Sequence, residues 1–286
     1  METIISKAAT LLEALPYIQR FRSQVFVVKY GGSFMDSPDE EERHRVARDI
    51  VFLEAVGINP VVVHGGGKAI TRALETAGLK AEFAQGHRVT NAATVEIVDR
   101  VLSREINPEI VTAIEAFGGS TRGFAGPDIF RCRKLLRDDV DLGFVGDVTD
   151  VDTDTLRACI QLGATPVISP TARGDDGKIY NCNADIAAAK TAIALNARRL
   201  VFLSDVPGLL RDPTDNSTLM SHLRVEEVPG LKRAGVIEEG MLPKVDSAIA
   251  AIDSGVEKVQ FVDGRIPHSI LLEIFTDAGV GTEVVK

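Results

Sequence analysis

Apolar side chains recur at Ile4, Ile5, Ala8, Leu11, Leu12 and Leu15, a helical spacing that predicts a short amphipathic helix over residues 3–15. Pro16 disfavours its continuation, because the residue before a proline is pushed out of the helical region. The apolar stripe needs a partner, and packing on its own domain is the simplest one. A β-branched run over residues 25–28 and another over 60–63 then empty into glycines, Gly31-Gly32 and Gly65-Gly66-Gly67. Between them, residues 39–55 read as a helix with an acidic start ended by Gly57, and residues 68–77 read as another. This βαβα progression predicts a parallel or mixed sheet with helices on both faces.

Further along, residues 94–106 carry a helical pattern, and Gly118-Gly119 with residues 123–128 mark a loop-rich region. Residues 129–136 and 142–148 suggest a hairpin. A second series follows: a helix near 153–162, a strand at 165–169, a polar turn at 174–178, a helix from about 184 to 196, a strand at 199–203 and a helix at 245–254. No repeat, low-complexity tract or obvious linker separates the halves, and a soft boundary falls near residue 177.

With 286 residues, 45% of them hydrophobic, the chain can bury a large core in one domain or two lobes. A net charge of -9 and a pI near 5.2 weigh against a nucleic-acid or anionic-membrane surface but suit a small anionic substrate bound in a local basic pocket. Cys132, Cys159 and Cys182 are widely spaced and lack a C-x-x-C pair, so neither a disulfide framework nor a zinc site is indicated. Glu2 and Glu13 interrupt the first apolar stretch, which therefore does not read as a signal peptide, and no transmembrane span stands out. A cytoplasmic protein is expected.

Strands that run out into glycines offer unhindered backbone N–H groups at the carboxyl edge of a sheet, where phosphate-bearing ligands bind in open α/β folds. Lys29 stands at the mouth of the first such turn, and Gly240-Met241-Leu242-Pro243-Lys244 supplies a second lysine at a helix start. Arg88, in Gly86-His87-Arg88-Val89-Thr90, is a candidate carboxylate clamp, although a lone arginine is more often a solvated surface charge. Asn181-Cys182-Asn183-Ala184-Asp185 opens an alanine-rich helix, where N-capping by Asn183 or Asp185 is a sufficient local explanation, although an acidic group there could also orient nearby lysines and an amide could hydrogen-bond a substrate carboxylate or amide. Ser204-Asp205-Val206-Pro207-Gly208-Leu209 leaves a strand through a polar turn that either holds a nucleotide or is a plain strand exit. His64 reads as a structural strand-end residue, because phosphoryl transfer to an ionised carboxylate needs no base. Neither a P-loop nor a dinucleotide fingerprint is present.

Taken together and in this order, Lys29-Tyr30-Gly31-Gly32, His64-Gly65-Gly66-Gly67, Gly86-His87-Arg88-Val89-Thr90, Asn181-Cys182-Asn183-Ala184-Asp185, Ser204-Asp205-Val206-Pro207-Gly208-Leu209 and Met241-Leu242-Pro243-Lys244 closely resemble the N-acetylglutamate kinases of the amino acid kinase superfamily. The glycine turns are shared with other kinases of that superfamily, whereas the arginine turn combined with Asn-x-Asn-Ala-Asp is more selective. The resemblance implies an α/β three-layer sandwich around a mainly parallel β-sheet. It implies transfer of the γ-phosphoryl group of MgATP to the side-chain carboxylate of N-acetyl-L-glutamate, the second step of the acetylated arginine pathway. It assigns catalysis to Lys29, Lys244 and Asp185, phosphoryl contacts to Gly31, Gly32 and Gly66, and acetylglutamate contacts to Gly66, Gly67, Arg88 and Asn181. ATP would meet Ser204, Asp205, Gly208, Leu209, Met241 and Lys244, with Mg²⁺ carried on the nucleotide and no protein metal site. One segment, Gly123-Phe124-Ala125-Gly126-Pro127-Asp128-Ile129, departs from the Gly-x-x-Gly-lysine/aspartate-Asp-Gly type usual in these kinases.

The two chain ends, Ala14-Leu15-Pro16-Tyr17-Ile18 and the segment from His268 to Thr282, resemble those of the arginine-inhibited, hexameric members. That implies an oligomerisation helix over 1–20, an amino-acid-binding lobe over 21–177 and an ATP-binding lobe with effector segment over 178–286. It also implies a homohexamer built as a trimer of dimers, with L-arginine bound at Tyr17, His268, Glu273 and Gly279. A nitrogen-signalling protein is a further candidate partner. The same motifs would suit an N-acetylaminoadipate kinase of lysine synthesis, whose substrate differs by one methylene, or a non-catalytic arginine-binding regulator.

Overall fold

The computed structural model describes residues 2–37, 39–84, 86–137, 140–237 and 240–286; the side chains of residues 2–8, 10, 11, 34 and 36 lie outside that description. Helix α1 (Glu2–Phe21) precedes β1 (Val25–Tyr30), α2 (Glu40–Ala55), β2 (Asn59–His64) and α3 (Gly67–Thr76). A hairpin of β3 (Phe83–Ala84) and β4 (His87–Arg88) leads into α4 (Ala92–Asp99), a π-helix over Arg100–Ile106, and α5 (Asn107–Ala116). Next come β5 (Thr121–Phe124), α6 (Gly126–Ile129), β6 (Phe130–Lys134), β7 (Val145–Val151), α7 (Thr153–Gln161), β8 (Thr165–Ile168), β9 (Thr171–Gly174) and β10 (Ile179–Cys182). The chain finishes with α8 (Ala184–Leu195), β11 (Arg199–Ser204), β12 (His222–Arg224), α9 (Val228–Arg233), α10 (Leu242–Asp253), β13 (Lys258–Asp263), α11 (Ser269–Phe275) and β14 (Thr282–Val285).

The main sheet has 8 strands in the order β12-β14-β13-β11-β1-β2-β8-β5. Only the β13–β14 pair within it is antiparallel. The central strands read as unbroken apolar runs because helices cover both faces. Side chains alternate along them: Phe26, Val28, Val62, Val201 and Leu203 join the core under α1, α2, α3, α5 and α11, whereas Val27, Val61, Val63, Leu200 and Phe202 join the core under α7, α8 and α10. Lys29 shares the parity of Val27 and so lies on the α8 face. This three-layer α/β arrangement is the one the resemblance implied. A closed four-stranded barrel, β10-β7-β6-β9, sits beside the sheet and contains the 129–148 hairpin expected from sequence. Residue 177, the soft boundary, falls in the turn between β9 and β10 of that barrel.

Three expectations need correction. Helix α1 runs through Pro16 to Phe21. Its last turn is held by tertiary contacts: Phe21 is fully buried, meets Phe26 edge-on at 5.2 Å and carries the Arg199 guanidinium 4.7 Å from its ring centroid. Those contacts offset the hydrogen bond and clearance lost at a mid-helix proline, roughly 3 kcal/mol. Gly123 and Phe124, placed in the loop-rich region by the sequence reading, belong instead to the edge strand β5, paired in parallel with β8. Their glycine-rich sequence conceals a strand that borrows its order from its neighbour. The departing segment 123–129 likewise ends in a helical turn, α6. Finally, the helix expected over 94–106 changes to π geometry at Arg100.

Of the expected amphipathic stripe, the side chains of Ile4, Ile5, Ala8 and Leu11 lie outside the described residues, while Leu12 and Leu15 are 67% and 42% exposed. All three cysteines are buried. Among the described residues, no helix is long and apolar enough to cross a membrane.

Candidate functional site

Strands β1, β2 and β11 end side by side, so the turns that follow them converge at one edge of the sheet. Helix α8 opens at the same edge, capped by the Asn183 side chain, which accepts from the Asp185 and Ile186 amides. Capping and chemistry are therefore divided between neighbours: Asn183 caps, and Asp185 in the first turn faces the lysines. Lys29 Nζ lies 3.1 Å from Asp185 Oδ1, and Lys244 Nζ donates to Oδ2 at 2.6 Å. Burial by itself would raise the Asp185 pKa, but the two ammonium groups outweigh it and hold the carboxyl down at about 2. Burial lowers the pKa of Lys29, and Asp185 opposes that shift.

The glycines beside this trio are shaped by close approach. A Cβ on Gly31 would stand 2.5 Å from Lys29 Nζ, so only a glycine lets that lysine fold back across its own turn toward Asp185. A Cβ on Gly66 would stand 2.4 Å from Ile106 Cδ1 and 2.8 Å from Leu102 Cδ2, both on the π-helix. The N–H groups of Gly31, Gly32 and Gly66 meet no acceptor among the described residues. Three unused donors beside two ammonium groups, one of them buried, are suited to an anion with several oxygens. Gly67 opens α3 and has open space around it.

Arg88 is buried, not a solvated surface charge. Its Nη2 donates to the Gly67 carbonyl at 2.9 Å and to Thr71 Oγ1 at 3.0 Å, and Phe83 stacks 4.6 Å from the guanidinium carbon. Nη1 is buried without a partner among the described residues, a donor that awaits an acceptor. Thr90 Oγ1 donates to the Arg88 carbonyl at 2.7 Å and accepts from Asn181 Nδ2 at 3.3 Å, which brings Asn181 to the same corner.

At the β11 exit, Asp205 Oδ1 accepts from the Ser33 amide at 2.6 Å and the Ser33 hydroxyl at 2.8 Å, locking the β1 turn to the next strand's turn. Ser204 is buried at the end of β11. The Leu209 amide donates to Thr282 Oγ1 at 2.8 Å, close to where a Cβ on Gly208 would collide at 2.4 Å. Met241 stands at the N-cap of α10, with Lys244 in its first turn.

The residues at the chain ends divide. Glu273 accepts from the amides of Val280 at 2.7 Å and Gly281 at 3.0 Å and from Gln260 Nε2 at 2.9 Å, with Gly279 packed against it. The Tyr17 hydroxyl donates to Asp277 in the same segment. His268 instead turns to α2, its Nδ1 2.7 Å from Asp49 Oδ1.

Several site neighbours had no sequence signal. Ser33 looks like an ordinary turn serine until Asp205 is seen against it, and Phe83 is an isolated aromatic until Arg88 stacks on it. The Asp99 carboxylate accepts from Ser103 and Thr171 at 3.0 and 3.1 Å, and the Ser103 and Ser169 hydroxyls lie 2.8 Å apart, tying the π-helix to the barrel. The Asp99–Thr171 link joins residues 72 positions apart and the Ser33–Asp205 link residues 172 apart, so both exist only in the fold.

The model described as Amino acid kinase family matches residues 24–263. Among curated proteins, the acetylglutamate kinase of Clostridium beijerinckii is 47% identical over 281 residues, covering 97% of this chain and 98% of its own. That of Geobacter sulfurreducens is 44% identical and covers 99% of each chain. Among solved structures, N-acetylglutamate synthase from Neisseria gonorrhoeae, complexed with coenzyme A and N-acetyl-glutamate, is similar at a TM-score of 0.86 and 26% identity over 98% of this chain. This chain spans 63% of that synthase's length. Carbamate kinase from Giardia lamblia bound to AMP-PNP shares the fold at a TM-score of 0.63 and 15% identity, over 92% of this chain and 99% of its own.

Proposed function

Because the chain belongs to the amino acid kinase family, we propose that it transfers the γ-phosphoryl group of MgATP to the side-chain carboxylate of N-acetyl-L-glutamate, the second step of arginine biosynthesis. The observation that carries this reading is the Asp185 carboxylate held between Lys29 and Lys244 beside unused glycine amides. A substrate carboxylate oxygen attacks the γ-phosphorus, the bond to the β–γ bridging oxygen breaks, and ADP leaves with an acyl phosphate as the other product. Negative charge moves from the attacking oxygen to the leaving one, so fixed cations at the two ends and N–H donors around the phosphoryl oxygens supply most of the catalysis. Lys29 and Lys244 are those cations, Asp185 orients them, and Gly31, Gly32 and Gly66 are the donors.

The orphan Nη1 of Arg88 supports a role as the clamp on a substrate carboxylate, with Gly66, Gly67 and Asn181 completing the acetylglutamate site. ATP lies over the β11 exit, along Ser204, Asp205, Gly208, Leu209 and Met241, so that residues 21–177 bind chiefly the amino acid and 178–286 the nucleotide. Mg²⁺ enters as part of MgATP. Asp185 is already committed to two lysines, and among the described residues no group of three or more His, Cys, Asp and Glu could hold a metal ion.

L-Arginine is the feedback inhibitor in this reading, bound near Tyr17, His268, Glu273 and Gly279; a structure of the Neisseria synthase is complexed with L-arginine. The exposed Leu12 and Leu15 of α1 support a helix that pairs with another subunit's in a hexamer. The test is to incubate the full-length protein with MgATP and acetylglutamate, measuring ADP and trapping the acyl phosphate with hydroxylamine. Acetylglutamate-dependent ADP and hydroxamate are expected. No turnover, or a higher kcat/KM for N-acetylaminoadipate, overturns the reading.

A further inference from the structure

His64, at the end of β2, is fully buried yet has both ring nitrogens engaged. Its Nδ1 lies 2.8 Å from the Gly65 carbonyl, and its Nε2 lies 3.3 Å from Asn107 Nδ2, at the start of α5. Which nitrogen carries the proton follows from the groups around Asn107. Its Nδ2 lies 2.9 Å from the Val167 carbonyl and 3.5 Å from the Phe124 carbonyl, and carbonyls only accept, so the amide nitrogen and not its oxygen must stand there. A donor therefore faces His64 Nε2, which must present its lone pair. The imidazole proton is left on Nδ1, where it donates to Gly65.

That bond orients a peptide. No cis peptide occurs among the described residues, so the Gly65–Gly66 unit is trans and its N–H points opposite to its carbonyl. With the Gly65 carbonyl drawn to the His64 ring, the Gly66 N–H is turned away from the ring, and it meets no acceptor among the described residues. Glycines at both positions leave this peptide free to rotate, so something other than sterics must hold it. Burial pushes the His64 pKa down to about 4, which keeps the ring neutral.

We propose that Asn107 and His64 form a positioning relay: Asn107 selects the Nδ1–H tautomer of His64, and that N–H pins the Gly65 carbonyl so that the Gly66 N–H is presented to the transferring phosphoryl group. The relay rests on the kinase reading above for the identity of the group that Gly66 meets. His64 touches no reacting atom in it and exchanges no proton with substrate.

Two measurements on the full-length protein test it. The first is the ¹⁵N spectrum of the His64 imidazole at neutral pH, which reports the tautomer without any turnover. Protonation at Nδ1 is expected, and a ring protonated at Nε2 overturns the relay. The second compares His64→Asn, whose amide N–H falls near the Nδ1 position, with His64→Gln, whose amide reaches the Nε2 position, and with His64→Leu. His64→Leu and His64→Gln should lower kcat on the order of 10²-fold, the loss typical of one preorganised donor, with KM for acetylglutamate within about threefold of wild type. His64→Asn should recover most of that loss. Equal kcat in the Asn and Gln variants, or a loss carried by KM alone, overturns the relay even if His64→Leu does not fold. Wild-type enzyme without acetylglutamate-dependent turnover overturns the kinase reading instead, and the tautomer then remains as a separate result.

Discussion

At the scale of single residues, the site is a contest between desolvation and charge that Asp185 wins only because two ammonium groups face it. Its pKa of about 2 lies below the ordinary 3.8, so it stays ionised through the working range. The stability it contributes is lost only as pH falls from about 4 through about 2. Replacing either lysine by Met leaves the other cation on the carboxylate, so the fold should survive while kcat falls roughly 10²–10³-fold. Steady-state kinetics with circular dichroism on Lys29→Met and Lys244→Met check this, and near-normal kcat in either variant removes that lysine from the mechanism. In the proposed reading Arg88 differs from the lysines, because a carboxylate clamp would hold the ground state as well as the transition state. Arg88→Ala should raise KM for acetylglutamate at least tenfold and leave KM for ATP nearly unchanged, as a two-substrate kinetic matrix would show.

At the scale of elements, helices meet through buried polar contacts with their own pH and steric signatures. Asp49 on α2 is only 2% exposed, whereas the side chain of its partner His268, just before α11, is 49% exposed. Burial therefore prevails over the histidine and raises the Asp49 pKa from 3.8 to about 6. A carboxyl whose folded pKa is raised contributes stability that is complete below about pH 4 and lost as pH rises through about 6. Thermal unfolding of wild type and Asp49→Asn across pH 4–7 should show that this component disappears in the variant. Between β5 and the barrel, α6 rests on backbone: a Cβ on Gly126 would stand 1.9 Å from the Thr171 carbonyl oxygen and 2.4 Å from that of Ser169. Neither atom can swing aside as a side chain can. Gly126→Ala should destabilise by roughly 2–3 kcal/mol or more, read from urea unfolding, whereas Gly78→Ala, with open space but a left-handed φ of 72°, should cost only about 1 kcal/mol.

At the scale of the whole molecule, α1 is anchored at one end and open at the other. Phe21 is buried, Tyr17 is tied to Asp277, and Arg20 reaches Glu257 at 3.1 Å, while Leu12 and Leu15 face outward. The anchored end couples the helix to the segment around Glu273, so a ligand there would bear on how the open end meets a neighbour. Deleting residues 1–18 should turn hexamers into dimers by light scattering, and should abolish or sharply weaken arginine inhibition while preserving much of the activity. A truncated protein that remains hexameric refutes the assembly, and full-length enzyme indifferent to millimolar arginine refutes the regulation.

Local sequence by itself determined the alternation of central strands and helices, because an unbroken β-branched run is stable only between two covered faces and its glycine exits have few other uses. It also marked Lys29, Asp185, Lys244 and Arg88 as candidates, since each stands in a short motif with a physical purpose. What it could not show is the pairing that makes them a site: Lys29 meets Asp185 because strand parity puts it on the α8 face, and Arg88 becomes a buried donor only when Phe83 and α3 close on it. Tertiary structure alone decided that β5 is a strand, that α1 passes through Pro16 and that residues 100–106 widen into a π-helix beside Gly66. In each case packing against distant segments outweighs the local preference, and no window of neighbouring residues contains those contacts.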